Sequence, residues 1–298
     1  MWHIDMKIVT PKYYDKFKCI ADRCIHNCCT GWDIEIDSET AKAYARLDKK
    51  ITEHIYTEDG CTYFKAKEDG RCPFFNRDGL CDIIIEHGEE MLCQICADHP
   101  RFKSFFKSFT EMGLGLCCEE AARLILGQKE KFCMPTPICE DLTENSFFKL
   151  RQTVFDILQD REFALDERLE NVCDFYGIRI PKKSVFEWKD FFKGLEILDP
   201  LWTDRIDIMS DAEVDNKWDT VFEQLACYLV FRHLYGALDD GLYIERIGFC
   251  VIACKIVRMI CAGYKVLDFE TICDVCRAFS SEIEYSDQNP QTIFDIIE

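Results

Sequence analysis

Cys19-Ile-Ala-Asp-Arg-Cys24-Ile-His-Asn-Cys28-Cys29 places four cysteines within eleven residues and runs directly into Thr30-Gly-Trp-Asp-Ile-Glu-Ile-Asp37. A cluster this dense in soft donors points to thiolate binding of a metal ion or an iron–sulfur core. It marks the first part of the chain as a loop-rich, metal-stapled region. Neighbouring side chains on an extended backbone point in opposite directions, so Cys28 and Cys29 are not expected to serve one ion.

Further cysteines follow in local groups. Arg71-Cys72-Pro-Phe-Phe-Asn-Arg-Asp-Gly79-Leu-Cys81 reads as a hairpin turning at Asp78-Gly79, which brings Cys72 and Cys81 towards one region. Cys93-Gln-Ile-Cys96-Ala-Asp-His99 has the spacing of a metal knuckle with an available imidazole. Cys117 and Cys118 complete a set that is expected to converge on one site or two. Zinc and a 4Fe–4S cluster both favour four such ligands, so spacing does not separate them.

Thirteen of the twenty cysteines precede Asp141. With the prolines of Met134-Pro-Thr-Pro-Ile-Cys139, this asymmetry predicts a boundary there, between a cysteine-rich domain over 1–140 and a helical domain over 141–298. In the second part Phe147, Leu150, Val154, Ile157 and Leu158 repeat at the three-and-four spacing of a buried helix face. The pattern recurs over Leu165 to Tyr176, Val185 to Leu198, Val214 to Leu238, Ile244 to Cys261 and Phe269 to Phe279. In the first part Asp37-Ser38 reads as a helix cap. The expected fold is mainly α, with a short β-hairpin in the cysteine-rich part. Cys250, Cys254 and Cys261 share a helix stripe and read as small buried hydrophobes.

The chain has 298 residues, 48% of them hydrophobic, enough to bury one large or two modest cores. Its formal net charge of −19 disfavours nucleic acid and anionic membranes as partners. Met1 to Lys7 lacks the apolar run of a secretory signal, and the most apolar stretches are broken by Arg232, His233, Lys255 and Arg258 well short of a membrane span. A cytoplasmic location is expected, where twenty cysteines imply metal binding and thiol burial rather than disulfides.

The C-x3-C-x2-C spacing of radical S-adenosylmethionine enzymes does not occur, because Cys24-x3-Cys28 is followed at once by Cys29. Gly113-Leu-Gly115 has no third glycine to complete a dinucleotide fingerprint, and no P-loop, nucleophile elbow or His-Glu-x-x-His is present.

Four motifs in order carry a resemblance: Cys19-x4-Cys24-x3-Cys28-Cys29-Thr-Gly-Trp-Asp-Ile, Cys72-Pro-Phe to Gly79-Leu-Cys81, Cys96-x2-His99-Pro-Arg101 and Cys118-Glu-Glu-Ala-Ala-Arg123. Phe222-Glu-Gln-Leu to Tyr228-Leu-Val-Phe-Arg232-His233 adds a fifth. Together they resemble the flagellin lysine-N-methylase family, within a broader cysteine-cluster group that chelates zinc or iron. His99 and Glu119 depart from the tyrosine and proline common there.

The resemblance implies methyl transfer from S-adenosylmethionine to lysine ε-amines of flagellin or another lysine-bearing protein. It also implies a 4Fe–4S or zinc centre held by Cys19, Cys24, Cys28, Cys29, Cys72, Cys81, Cys96 and Cys118. Glu223, Tyr228, Arg232 and His233, polar groups on an apolar helix, are the catalytic candidates. Arg101 and Arg123 are candidates for the carboxylate of the methyl donor, with fastening of the cysteine loops as their structural alternative. The rival reading is a metal-binding module without catalysis, serving storage, delivery or redox sensing.

Overall fold

The computed structural model describes residues 7–47, 49–135 and 140–298. Mainly helical, the chain divides into two compact units: Lys18–Arg101, and a second that joins the residues before Lys18 to Phe102–Glu298. This division differs from the one expected at residue 140. The segment after Phe102 packs with the helices because Phe109, Leu114, Leu116, Ala121 and Ile125 are buried in their core. Of the Met134 to Cys139 stretch read as a boundary, residues 136–139 lie outside the described residues, as do residues 1–6.

The Lys18–Arg101 unit has a small core of Ile34, Ile36, Tyr44, Ile51, Phe64, Phe74 and Ile83, into which Cys72 and Cys93 are also buried. Asp37 caps the Ser38–Leu47 helix by accepting from the Thr40 amide at 2.9 Å, and its other oxygen accepts from the Gln94 amide at 2.9 Å. One carboxylate thus starts a helix and ties it to the Cys93–Cys96 loop. Tyr44 reinforces the tie, donating to the Met91 carbonyl at 2.6 Å.

The two-stranded ladder in this unit pairs Ile55–Glu58 with Cys61–Phe64, turning at Asp59-Gly60, where both residues have positive φ. Asp-Gly suits that turn, and β-branched and aromatic residues flank it. The segment expected to form a hairpin, Arg71 to Cys81, closes on a single bridge between Phe75 and Cys81. Asn76 accepts from the Asp78 and Leu80 amides at 3.0 Å each, holding a tight loop with Gly79 at φ +74°. Pro73, which has no amide proton to donate, is unsuited to lengthening it into a ladder.

The second unit is built around Asp219–His233, buried on every side from Val221 to Phe231. It packs against Tyr243–Ala262, Leu142–Leu158 and Glu119–Leu126. A helix buried all round in this way is stable only at the centre of a core, where each large apolar side chain contributes about 1.5–3 kcal/mol. Asp141 starts Leu142–Leu158 by accepting from the Thr143 and Glu144 amides, and Asp268 starts Phe269–Phe279 by accepting from Thr271. A three-stranded sheet sets Phe109–Leu114 between Lys7–Val9, with which it runs parallel, and Arg101–Phe105. Gly113 has no room for a side chain: a Cβ there would stand 2.3 Å from the Phe102 ring and 2.6 Å from the Phe231 ring. That packing accounts for a glycine in the Gly113-Leu-Gly115 stretch.

The helices Leu165–Tyr176 and Phe269–Phe279 span the residues expected of them, and Cys250, Cys254 and Cys261 are buried. Among the described residues, no helix is long and apolar enough to cross a membrane.

Candidate functional site

Six thiols of the Lys18–Arg101 unit lie within mutual electrostatic reach: Cys28, Cys29, Cys72, Cys81, Cys93 and Cys96. The backbone makes this grouping. The Cys72 amide donates to the Cys29 carbonyl at 2.7 Å, and Thr30 bridges to Arg71. Cys81 and Cys93 each stand at the start of a short helix, Asp82–His87 and Gln94–Asp98.

Cys28 and Cys29 occupy a turn rather than a strand, tightened by Asn27 Oδ1, which accepts from the Cys29 amide and the Thr30 hydroxyl at 3.1 Å each. The turn rotates the two side chains together, contrary to the divergence expected of an extended pair. The hydrogen bond from Cys29 brings the Cys28 thiol down to about 7, while giving up that proton becomes harder for Cys29. Cys96 lowers Cys93 in the same way and is itself raised. Among the described residues, no three His, Cys, Asp or Glu side chains already form a metal-holding group.

Of the other expected ligands, Cys19 is exposed, Cys24 is half-buried, and Cys118 belongs to the helical unit, where it starts Glu119–Leu126. Burial, then the charge of Arg101, lowers the His99 imidazole to about 4, so it is neutral.

A second constellation lies in the helical unit. Tyr228, Arg232 and His233 all converge on Glu284, the last residue of a π-helical turn, Ser280–Glu284. Glu284 Oε2 accepts from the Tyr228 hydroxyl at 2.9 Å, pairs with Arg232 Nε at 2.7 Å and meets His233 Nε2 at 2.9 Å. Its side chain is closed to solvent, and Oε1 has no hydrogen-bond partner among the described residues. Extra-residue turns of this kind concentrate at functional sites.

Burial alone would raise the Glu284 carboxyl, but the His233 hydrogen bond and the Arg232 charge hold it below the usual range. It is therefore ionised and can only accept, which requires His233 to carry its proton on Nε2 and leaves the Nδ1 lone pair bare. Burial lowers the His233 pKa, keeping the ring neutral. Tyr228 also accepts from the Leu116 amide at 3.1 Å, tying the Leu114 to Cys118 loop to this cluster. Beside it, the Cys117 thiol donates to the Tyr285 hydroxyl at 3.1 Å.

Glu223, the remaining candidate on that helix, is elsewhere. Fully buried, it accepts from Arg168 at 2.6 Å and Arg161 at 2.8 Å. Arg123 is engaged by Glu119 at 2.8 Å and Glu270 at 2.7 Å. Arg101 Nη1 donates to the Ala97 carbonyl at 3.4 Å. Glu284 and Tyr285 were not read from sequence as site features, and Cys93, grouped there with the other thiols, was left out of the expected ligands. The signal for Glu284 was faint: one of two glutamates in an otherwise ordinary Ser-Ser-Glu-Ile-Glu-Tyr stretch.

Residues 188–298 match the model of the FliB lysine N-methylase C-terminal domain. Tyr228, Arg232, His233 and Glu284 lie inside that match, and the six thiols lie outside it. A flagellar biosynthetic protein, FliU, of Salmonella muenchen is 25% identical over 141 residues, which are 44% of this chain and 83% of that protein. The lysine-N-methylase of Salmonella typhimurium is 25% identical, and that of Salmonella choleraesuis 24%, each over 141 residues. That stretch is 44% of this chain but spans only 35% of either lysine-N-methylase. No solved structure matches. Over residues 188–298 the chain is similar to the C-terminal domain of the FliB lysine N-methylases.

Proposed function

We propose that the chain is a protein-lysine N-methyltransferase that uses S-adenosylmethionine and acts on flagellin or another lysine-bearing protein. The observation that carries this reading is the placement of the buried Glu284 cluster inside the matched methylase domain. S-adenosylmethionine supplies an electrophilic methyl group. A lysine amine attacks it only after losing a proton.

The chain's own residues meet that demand in two ways. Glu284 orients His233 so that Nδ1 keeps a lone pair in a largely desolvated place, a suitable acceptor for the ammonium proton. Tyr228 and Arg232 fix the Glu284 carboxylate, and Tyr228 fixes the adjoining loop through Leu116. Rigid supports of this kind favour aligned attack.

The donor set of Cys28, Cys29, Cys72, Cys81, Cys93 and Cys96 fits a soft metal, because all six groups are sulfur. They would hold zinc or a 4Fe–4S cluster, and a centre bound there supplies charge and a cross-link between loops. A metal-binding module without catalysis is favoured as the second reading by the confinement of these thiols to their own compact unit. Mass analysis of flagellin coexpressed with the metal-replete chain decides between them: lysines gaining methyl groups support the enzyme, and unmodified flagellin supports the module.

A further inference from the structure

Other mostly buried arginines of the helical unit place at least one terminal amino group on protein, as Arg168, Arg258 and Arg277 do with one. Arg151 places both terminal amino groups on Glu111, at 2.7 and 2.6 Å. Arg205 uses its pair on Tyr264 and Asp274, and Arg246 on the His233 carbonyl and Asp240. Arg232 pairs with Glu284 through Nε, at 2.7 Å. Among the described residues nothing accepts from its Nη1 or Nη2, and the side chain is 15% exposed.

The guanidinium is nonetheless held rigidly. Its central carbon lies 4.9 Å from the centroid of the Phe102 ring and 5.2 Å from that of Tyr285. Two aromatic contacts and a closed-off carboxylate thus fix a planar fork, the geometry that recognises a carboxylate through two parallel hydrogen bonds. The buried Glu284 Oε1 beside it has no donor among the described residues.

We infer that the open edge of Arg232 is a receptor for the carboxylate of an amino-acid ligand. Resting on the methyltransferase reading, the first source of that group is the methionyl carboxylate of the methyl donor. The other source of the same chemistry is the C-terminus of a polypeptide. Prepayment of the fork's orientation makes the contact strong without moving the helix.

The test is titration calorimetry on the full, metal-replete chain with four probes. S-adenosylhomocysteine carries the carboxylate, 5′-methylthioadenosine keeps the nucleoside without it, and N-acetyl-dialanine is supplied as the free acid and as the amide. Two variants are compared with the parent: Arg232→Lys, which keeps the charge but loses the fork, and the double variant Arg232→Gln/Glu284→Gln, which leaves no buried charge uncompensated. The expected result is a loss of about tenfold to a hundredfold for the carboxylate probe that binds, in both variants, with 5′-methylthioadenosine unchanged. Binding of S-adenosylhomocysteine with that loss identifies the methyl donor. Binding of the dialanine acid alone keeps the receptor and removes the donor as its ligand. S-adenosylhomocysteine binding equally to parent and folded variants overturns the receptor while leaving the methyltransferase reading intact, and failure of every carboxylate probe to bind the parent overturns it also.

Discussion

The Tyr228 hydroxyl donates to Glu284 Oε2 at 2.9 Å while accepting from the Leu116 amide at 3.1 Å, so one buried oxygen joins the central helix to both a loop and the C-terminal π turn. Replacing Tyr228 with Phe keeps the ring and strands an amide and part of a carboxylate. The expected destabilisation is about 1–3 kcal/mol, read as a lower urea midpoint with an unchanged slope.

Acid acts on this cluster in a defined order. Burial lowers His233, so the unfolded chain binds the extra proton first and stability falls once pH drops below about 6.5. Glu284 is also lowered, despite burial, by His233 and Arg232, so its stabilisation is present above about 4.3 and is lost as pH falls further. Urea midpoints between pH 4 and 8 (about the range of both transitions) should show the upper loss shrink in His233→Gln and vanish in the double variant His99→Gln/His233→Gln, because burial also lowers His99, to about 4. Persistence of that loss in the double variant would assign it to another group.

Glu223 is expected to be structural. Removing its charge in Glu223→Ala leaves Arg168, 3% exposed, without its carboxylate, at a cost of about 3–5 kcal/mol. Folded variant recovered below its melting temperature should bind S-adenosylhomocysteine as the parent does; a selective loss of binding would move Glu223 into the site.

Cys93 is expected to matter to metal content and Cys250 not to. Cys93→Ser should lower bound metal per chain by elemental analysis, whereas Cys250→Ser, buried in the helical core, should leave it unchanged. Chelation should reduce amide protection within Lys18–Arg101 and spare Tyr243–Ala262. Uniform loss across both units would contradict a metal confined to the thiols.

Gly263 ends Tyr243–Ala262 where a Cβ would stand 1.7 Å from the Ile208 carbonyl oxygen. Gly263→Ala must displace backbone, and a loss of about 1–3 kcal/mol is expected in chemical denaturation.

The helical architecture was legible where one face alternates with another. Leu165, Leu169 and Val172 recur at helical spacing and are buried, and the helix they mark runs Leu165–Tyr176. Asp219–His233 offered no such contrast because it is buried all round, so its start was read as Val214 rather than Asp219. Asp59-Gly60 and Asp78-Gly79 are the same dipeptide, and only the first has ladder-forming residues on both sides. Tyr228 and Arg232 were visible as polar residues on an apolar helix. Their shared partner was not, because Glu284 lies 56 residues beyond Tyr228 and meets it only through tertiary packing. The thiols were expected to converge on one site or two, but their division between the two units was not legible: Cys118 opens a helix of the other unit.

The most direct test is transfer of an isotopic methyl group from S-adenosylmethionine to purified flagellin by the metal-replete chain, with label located by peptide mass spectrometry. Label on lysine side chains, lost in the Arg232→Gln/Glu284→Gln variant, is the predicted result. Unlabelled lysines after incubation with folded, metal-replete parent chain would contradict it.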